Sequence, residues 1–210
     1  MDVGRVRGAI VRVARALEGH KERLTELDRA MGDGDLGITA GKMATALAAY
    51  AADEPATDDV GTYVVQAGMA VNRAASSSLG TLLATAAMRA GKEVRGQVEV
   101  DAAGLARMLV AADAGIQERG KAKPGDKTII DVLHPAAVAF AAEVEEGVSL
   151  AAAAGRMLDA ARAGRDAVTP MRSRVGRAGW VGERTEGLVD PGCEAGVVIL
   201  EAIAAMVEDT

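Results

Sequence analysis

Asp28, Asp33 and Asp35 stand among Gly32, Gly34 and Gly37, three carboxylates packed into one glycine-rich run. Asp33 and Asp35 fall on a loop that the glycines leave free to take left-handed backbone angles, and Asp28 lies about one helical turn upstream. All three side chains can therefore converge on one point. Converging carboxylates repel, and they stay ionised together at neutral pH when a cation sits between them. Ca²⁺ takes a full cage of protein ligands, whereas Mg²⁺ is usually held by a few carboxylates plus substrate phosphates. Three acids with no Glu to complete a cage favour Mg²⁺ with a phosphate ligand. The same run matches G-x-G-x-x-G, but that fingerprint must follow a strand, and Lys21 to Met31 reads as a helix. An EF-hand start fails because Gly37 and Ala44 occupy two of the ligand positions. A solvated acidic turn that merely caps the next helix stays open on these residues alone.

Three more joints carry chemistry-bearing residues. Arg73-Ala74-Ala75-Ser76-Ser77-Ser78 precedes a helix, and serine hydroxyls with backbone N–H groups at a helix N-terminus suit a phosphate, although ordinary N-caps would look the same. Arg119-Gly120-Lys121-Ala122-Lys123-Pro124-Gly125-Asp126-Lys127-Thr128 sets cations, glycines and a proline between two helices and reads equally as a solvated turn. Met171 to Gly192 is the longest stretch without periodicity, and it carries Arg172, Arg174, Arg177 and Arg184 before ending in Asp190-Pro191-Gly192. A loop of that length inside a compact domain is usually functional or disordered, and arginines can grip phosphate through two parallel bonds. No Walker motif is present, so P-loop chemistry is excluded.

The elements that must position these joints are helices. Of 210 residues 50% are hydrophobic but only 2% aromatic, an Ala/Leu/Val-rich composition that favours helix over sheet. Stripes at helical spacing predict helices from Val3 to Leu17, closed by Glu18-Gly19; from about His20 to Ala30; from near Thr39 to Asp53; from Val60 to Asn72; from Leu79 to Ala90; from Leu105 to Gly120; from Ile130 to Glu146; from Ser149 to Ala167; and from about Gly192 to Val207. Amphipathic helices with short connections pack as an antiparallel up-and-down bundle or closed barrel, an all-α fold in one domain spanning residues 1–210. Alternate joints then fall at the same end. The net charge of −6 and the scarcity of aromatics argue against a nucleic-acid partner. A single cysteine, Cys193, allows no internal disulfide, the N-terminus lacks the apolar core of a signal peptide, and no stretch is long enough to span a membrane. A cytoplasmic protein is expected.

Asp28 with Gly32-Asp33-Gly34-Asp35, then Arg119-Gly120-Lys121-Ala122 with Pro124-Gly125-Asp126-Lys127-Thr128, then Gly182-Glu183-Arg184 with Asp190-Pro191-Gly192, together resemble the nucleotide-binding L subunit of dihydroxyacetone kinase over essentially the whole chain. The resemblance implies an antiparallel eight-helix barrel that binds ADP or ATP at one end with two Mg²⁺ ions. It places the metals on Asp28, Asp33 and Asp35. Leu36, Gly37, Ile38 and Thr39, with Ser76 and Ser77, would line the phosphates. Gly120 and Ile129 would lie against the base, while Arg177 and the Asp190-Pro191-Gly192 turn would close over the nucleotide. It further implies a phosphotransferase whose sugar is bound by a separate K subunit, as a dimer or hetero-oligomer, with either ATP or a phosphocarrier protein (the M type) as the phosphoryl source. The aspartates would act as metal ligands and not as bases.

Two departures stand out. The family usually has His where this chain has Leu36, and its G-G-A-S-G-P segment is replaced by the shorter run ending Ser76-Ser77-Ser78. Both would suit a divergent branch acting on another small ketose, such as a tetrulose. Two other functions stay open on the sequence: a nucleotide-bound regulatory module that docks on a transcription regulator or other partner, and a metal-dependent phosphohydrolase.

Overall fold

A computed structural model describes residues 1–176 and 178–208. Eight long helices dominate: α1 (Val3–Met31), α2 (Leu36–Ala52), α3 (Val60–Ala74), α4 (Ser78–Glu93), α5 (Ala102–Gly120), α6 (Ile130–Glu145), α7 (Leu150–Val168) and α9 (Pro191–Glu208). Between α7 and α9 lie a single turn, α8 (Ala178–Val181), and a 3₁₀ turn (Gly182–Thr185). Each long helix packs on its neighbours in chain order, and α9 packs on α1, so the helices form a closed ring. The expected all-α barrel is observed.

Local chemistry explains most helix starts. Asp2, Asp59, Ser77, Asp101 and Ser149 each accept a hydrogen bond from the N–H three residues on, which satisfies one of the donors that a helix start leaves without an intrahelical partner. Helix α9 opens with Pro191, whose missing N–H costs nothing in the first turn.

Two boundaries differ from the sequence expectation. Glu18-Gly19 does not end a helix: α1 runs unbroken for 29 residues. Gly19 is exposed with open space around it, so it carries only the ~1 kcal/mol propensity penalty of glycine. That is outweighed because the buried stripe continues past it as Leu17, Leu24 and Met31. Helix α2 starts at Leu36 and not near Thr39, because the N–H of Thr39 already bonds the carbonyl of Asp35 at 3.0 Å.

The ring places alternate joints at opposite ends. At one end the N-terminal ammonium donates to the Val100 carbonyl (2.7 Å) and the Val60 N–H to Gln97 (2.9 Å), which gathers the N-terminus with the α2–α3 and α4–α5 joints. The α1–α2, α3–α4, α5–α6 and α7–α9 joints share the other end. The interior is built from Leu, Val, Ile, Met and many alanines, including Leu17, Leu24, Met43, Ile116 and Val132, and a smaller cluster around Tyr63 and Val94 closes the N-terminal end. An apolar cavity of about 330 Å³ runs within the ring, bordered by Leu47, Met108, Phe140, Met157 and Leu200 among others. Among the described residues no helix is long and apolar enough to cross a membrane.

Candidate functional site

The acid loop turns directly from α1 into α2. Each of Asp28, Asp33 and Asp35 offers a carboxylate oxygen, and these oxygens lie within 4.8 Å of one another. Two oxygens bound to one Mg²⁺ at 2.0–2.1 Å can be at most about 4.2 Å apart, so small side-chain rotations would bring the set onto a hard cation. The three residues thus fit the metal that their types imply. Asp28 is also structural, since its Oδ2 accepts the Leu36 N–H (3.1 Å) at the start of α2. The glycines have separate reasons. Gly34 takes φ +77°, and a side chain on Gly32 would strike the Asp28 carboxylate. Gly37 lies so close to Lys21 and Thr25 of α1 that a Cβ there would overlap the Lys21 carbonyl.

The first turn of α2 carries Leu36, Gly37, Ile38 and Thr39 with N–H groups aimed toward the acid loop's end of the barrel. Helix N-termini favour anions, and Ile38 is 62% exposed beside them. In the α3–α4 joint Ser77 is the N-cap of α4, its Oγ accepting the Gly80 N–H at 3.1 Å, while Ser76 is exposed.

The α5–α6 joint is organised by two buried carboxylates. Asp126 accepts the Lys123 N–H at 2.9 Å, and Asp131 accepts the N–H groups of Gly125 and Thr128, the latter at 2.8 Å. Gly120 ends α5 with Leu82 of α4 beside it, and Ile129 is buried under Gly192 and Gly196 of α9. The α7–α9 arm then folds onto this joint: the Arg174 N–H donates to the Asp126 carbonyl (3.2 Å), and the 3₁₀ turn also touches α1. Arg172 pairs with Glu183 (2.9 Å) and Glu186 (3.0 Å), so this arginine is engaged within the arm. Arg174 and Arg184 are exposed, and Arg177 lies outside the described residues.

Asp190 is buried at the head of α9, where its Oδ1 accepts the Cys193 N–H at 2.8 Å. Burial pushes its carboxyl up to about 6, against the opposing pull of the Cys193 and Gly192 N–H bonds and the Lys127 ammonium. Burial likewise pushes the Cys193 thiol far up; it donates to the Thr128 carbonyl at 2.9 Å. A carboxyl raised in the folded state contributes stability that is full below its unfolded value and is lost as pH rises through about 6. Asp190→Asn keeps the capping acceptor without the charge. Its urea-unfolding free energy minus that of the wild type is therefore expected to climb between pH 4 and pH 6 and level off above, by no more than about 3 kcal/mol. A difference flat across that range would refute the buried-carboxyl assignment.

Sequence reasoning passed over two features of this end. Lys127, part of a recognised motif, is fully buried, which no local pattern in a polar joint reveals. His134 and the buried Asp113 pair at 2.8 Å between α5 and α6, with Gln117 bonded to both carboxylate oxygens. Their i, i+4 and cross-helix spacing shows only once the helices are docked.

The chain is thus an all-α ring whose joints at one end bring together three acids, a helix N-terminus and an arm with a buried interior. The chain belongs to the DAK2 domain family, which matches residues 30–205. It is 31% identical over 188 residues to a Listeria innocua protein named as the ADP-binding subunit DhaL of PEP-dependent dihydroxyacetone kinase 1, covering 89% of this chain and 88% of that one. The Escherichia coli ADP-binding subunit DhaL is 29% identical, with 87% of each chain covered. Mouse triokinase/FMN cyclase is 29% identical over 94% of this chain but only 34% of its own length. Among solved structures, the dihydroxyacetone kinase of C. freundii in its native form superposes with a TM-score of 0.74 at 24% identity, over 95% of this chain. The same kinase in complex with AMP-PNP and Mg²⁺ gives 0.71. The chain spans about a third of that kinase, and the likeness carries the barrel fold.

Proposed function

We propose that this chain is the nucleotide-binding subunit of a dihydroxyacetone-type kinase for a small ketose, forming a single domain over residues 1–210. It holds ADP or ATP through two Mg²⁺ ions on Asp28, Asp33 and Asp35, and the phosphoryl group passes to a sugar held by a separate K subunit. The observation that carries this reading is the convergence of the three carboxylates within 4.8 Å at the N-terminus of α2. Membership of the DAK2 family and the names of the L-subunit relatives support it.

Phosphoryl transfer relies on positioning and charge neutralisation more than on covalent chemistry. Bound Mg²⁺ would supply neutralisation of the phosphate oxygens. The chain's own residues do the rest. Asp28, Asp33 and Asp35 fix where that charge sits, and the N–H groups of Gly37 and Ile38, with those opening α4 behind Ser76 and Ser77, receive phosphate oxygens. Gly120, Ile129 and the Asp190-Pro191-Gly192 turn would enclose the rest of the nucleotide, and the family resemblance assigns the same part to Arg177.

Mass spectrometry of the purified chain, under native and then denaturing conditions, tests this. A mass excess of ADP plus Mg²⁺ that survives dialysis supports the reading with a phosphocarrier as donor. An empty chain that binds ATP and ADP reversibly and only with Mg²⁺ supports it with ATP as donor. A chain that binds neither nucleotide with Mg²⁺ present overturns it.

A further inference from the structure

Among its described residues, the arm between α7 and α9, residues 169–190, contains no element longer than one turn, yet it has a buried interior. That interior is polar. Thr185 is 0% exposed, its Oγ1 accepting the Ser173 N–H (2.9 Å) and donating to the Gly182 carbonyl (2.7 Å). The Gly187 N–H reaches back to the Thr169 carbonyl at 3.0 Å. At the centre is a side chain from another joint. Lys127, 1% exposed, extends its Nζ to the carbonyls of Thr169 (2.8 Å), Met171 (2.9 Å) and Thr185 (2.6 Å).

An ammonium group has three N–H donors, and here all three are used on one segment. The three carbonyls come from both ends of the arm, 42, 44 and 58 residues from Lys127, so one cation holds the arm's start and its far limb together. Lys127 is itself held rigidly: its backbone is left-handed at φ +62°, between Asp126 and Thr128, whose N–H is bound by Asp131. A buried ammonium is costly, and an apolar side chain of equal length would fill the space without that penalty. What the cation adds is three directed bonds to backbone outside the long helices.

We propose that Lys127 is a positioning residue for nucleotide binding: its ammonium group pins the 169–190 arm onto the α5–α6 joint, so that the arm and the Asp190-Pro191-Gly192 turn meet the nucleotide already ordered. This rests on the nucleotide-binding reading above. Irregular segments of this length open easily unless tied down, and ordering one at the moment of binding weakens affinity.

The test compares wild type, Lys127→Met and Lys127→Arg by amide hydrogen exchange without nucleotide, by Mg-ADP titration, and by Mn²⁺ titration of the acid loop alone. In Lys127→Met, exchange in residues 169–188 is expected to rise about 100-fold while α2 to α4 keep their wild-type protection. Mg-ADP affinity should fall about tenfold or more with Mn²⁺ affinity unchanged. Lys127→Arg, which keeps a cation and several donors, should recover part of both losses. Unchanged arm exchange in Lys127→Met overturns the proposal. So does exchange that rises equally in α2 to α4, or loss of the barrel's helicity, either of which would place Lys127 in global stability. A loosened arm with undiminished Mg-ADP affinity also overturns it. A wild-type chain that binds no Mg-ADP refutes the nucleotide reading instead, and the exchange data then report on the anchoring by itself.

Discussion

Asp33→Asn is expected to weaken Mg²⁺-dependent nucleotide binding by about 100-fold or more while shifting the unfolding midpoint very little. Asp28 accepts the Leu36 N–H through its side chain, so changing it disturbs the start of α2 as well as the acid set, and Asp35 is the residue from which that helix begins. Asp33 is exposed on the loop, outside any helix, and an exposed substitution of that kind usually alters stability by no more than about 0.5 kcal/mol. Asn is close in shape and still presents an oxygen, but it removes one of three charges that would hold a divalent cation. A hundredfold corresponds to about 2.7 kcal/mol, within what losing one of three charged ligands of a hard cation costs. Calorimetric titration of Mg-ADP into the variant checks it, alongside thermal unfolding without nucleotide. Wild-type affinity in the variant would remove the acid loop from nucleotide binding.

How much of this was legible before folding differs by feature. The acid loop could be located from residue types alone, although a solvated capping turn would have the same residues, and all three carboxylates do converge. Helix placement followed from apolar periodicity, which reports a face turned toward a core wherever the helices end up, but the number did not, since the first two expected helices are one. Periodicity alone left bundle and closed barrel open, because the contact of α9 on α1 depends on the sum of many packing angles; the family resemblance supplied the closure. Gly19 misled because a helix breaker is judged locally, whereas Leu24 and Met31 keep α1 intact through packing on distant elements. The arm shows the same limit more sharply. Four arginines suggested phosphate, yet Arg172 is committed to Glu183 and Glu186, and the residue that orders the arm is a lysine from a different joint. Periodicity sees neither pairing, since both join irregular segments.

The glycine that closes the acid loop gives the second large effect. Gly37→Ala is expected to destabilise the fold by about 1–3 kcal/mol and, by the same displacement, to weaken metal binding. A Cβ at this position would overlap both the Thr25 hydroxyl and the Lys21 carbonyl of α1. The hydroxyl donates to that same carbonyl at 2.9 Å, so the obstacle is a bonded pair that includes backbone, and neither member can rotate away alone. The helices must separate instead. Separation would stretch the bond from the Leu36 N–H to Asp28, which ties the start of α2 to the carboxylate on α1. Opposing this, alanine is a better helix former than glycine by about 1 kcal/mol. That gain is smaller in a first turn, and it does not offset overlap with backbone. Gly19→Ala is the internal control: Gly19 is mid-helix, exposed and surrounded by open space, so the propensity term acts unopposed and the variant should be more stable by up to about 1 kcal/mol. Urea-unfolding midpoints of the two variants should therefore move in opposite directions. If Gly37→Ala unfolds at the wild-type midpoint or above, the close approach of α1 and α2 is not what holds the acid loop in place.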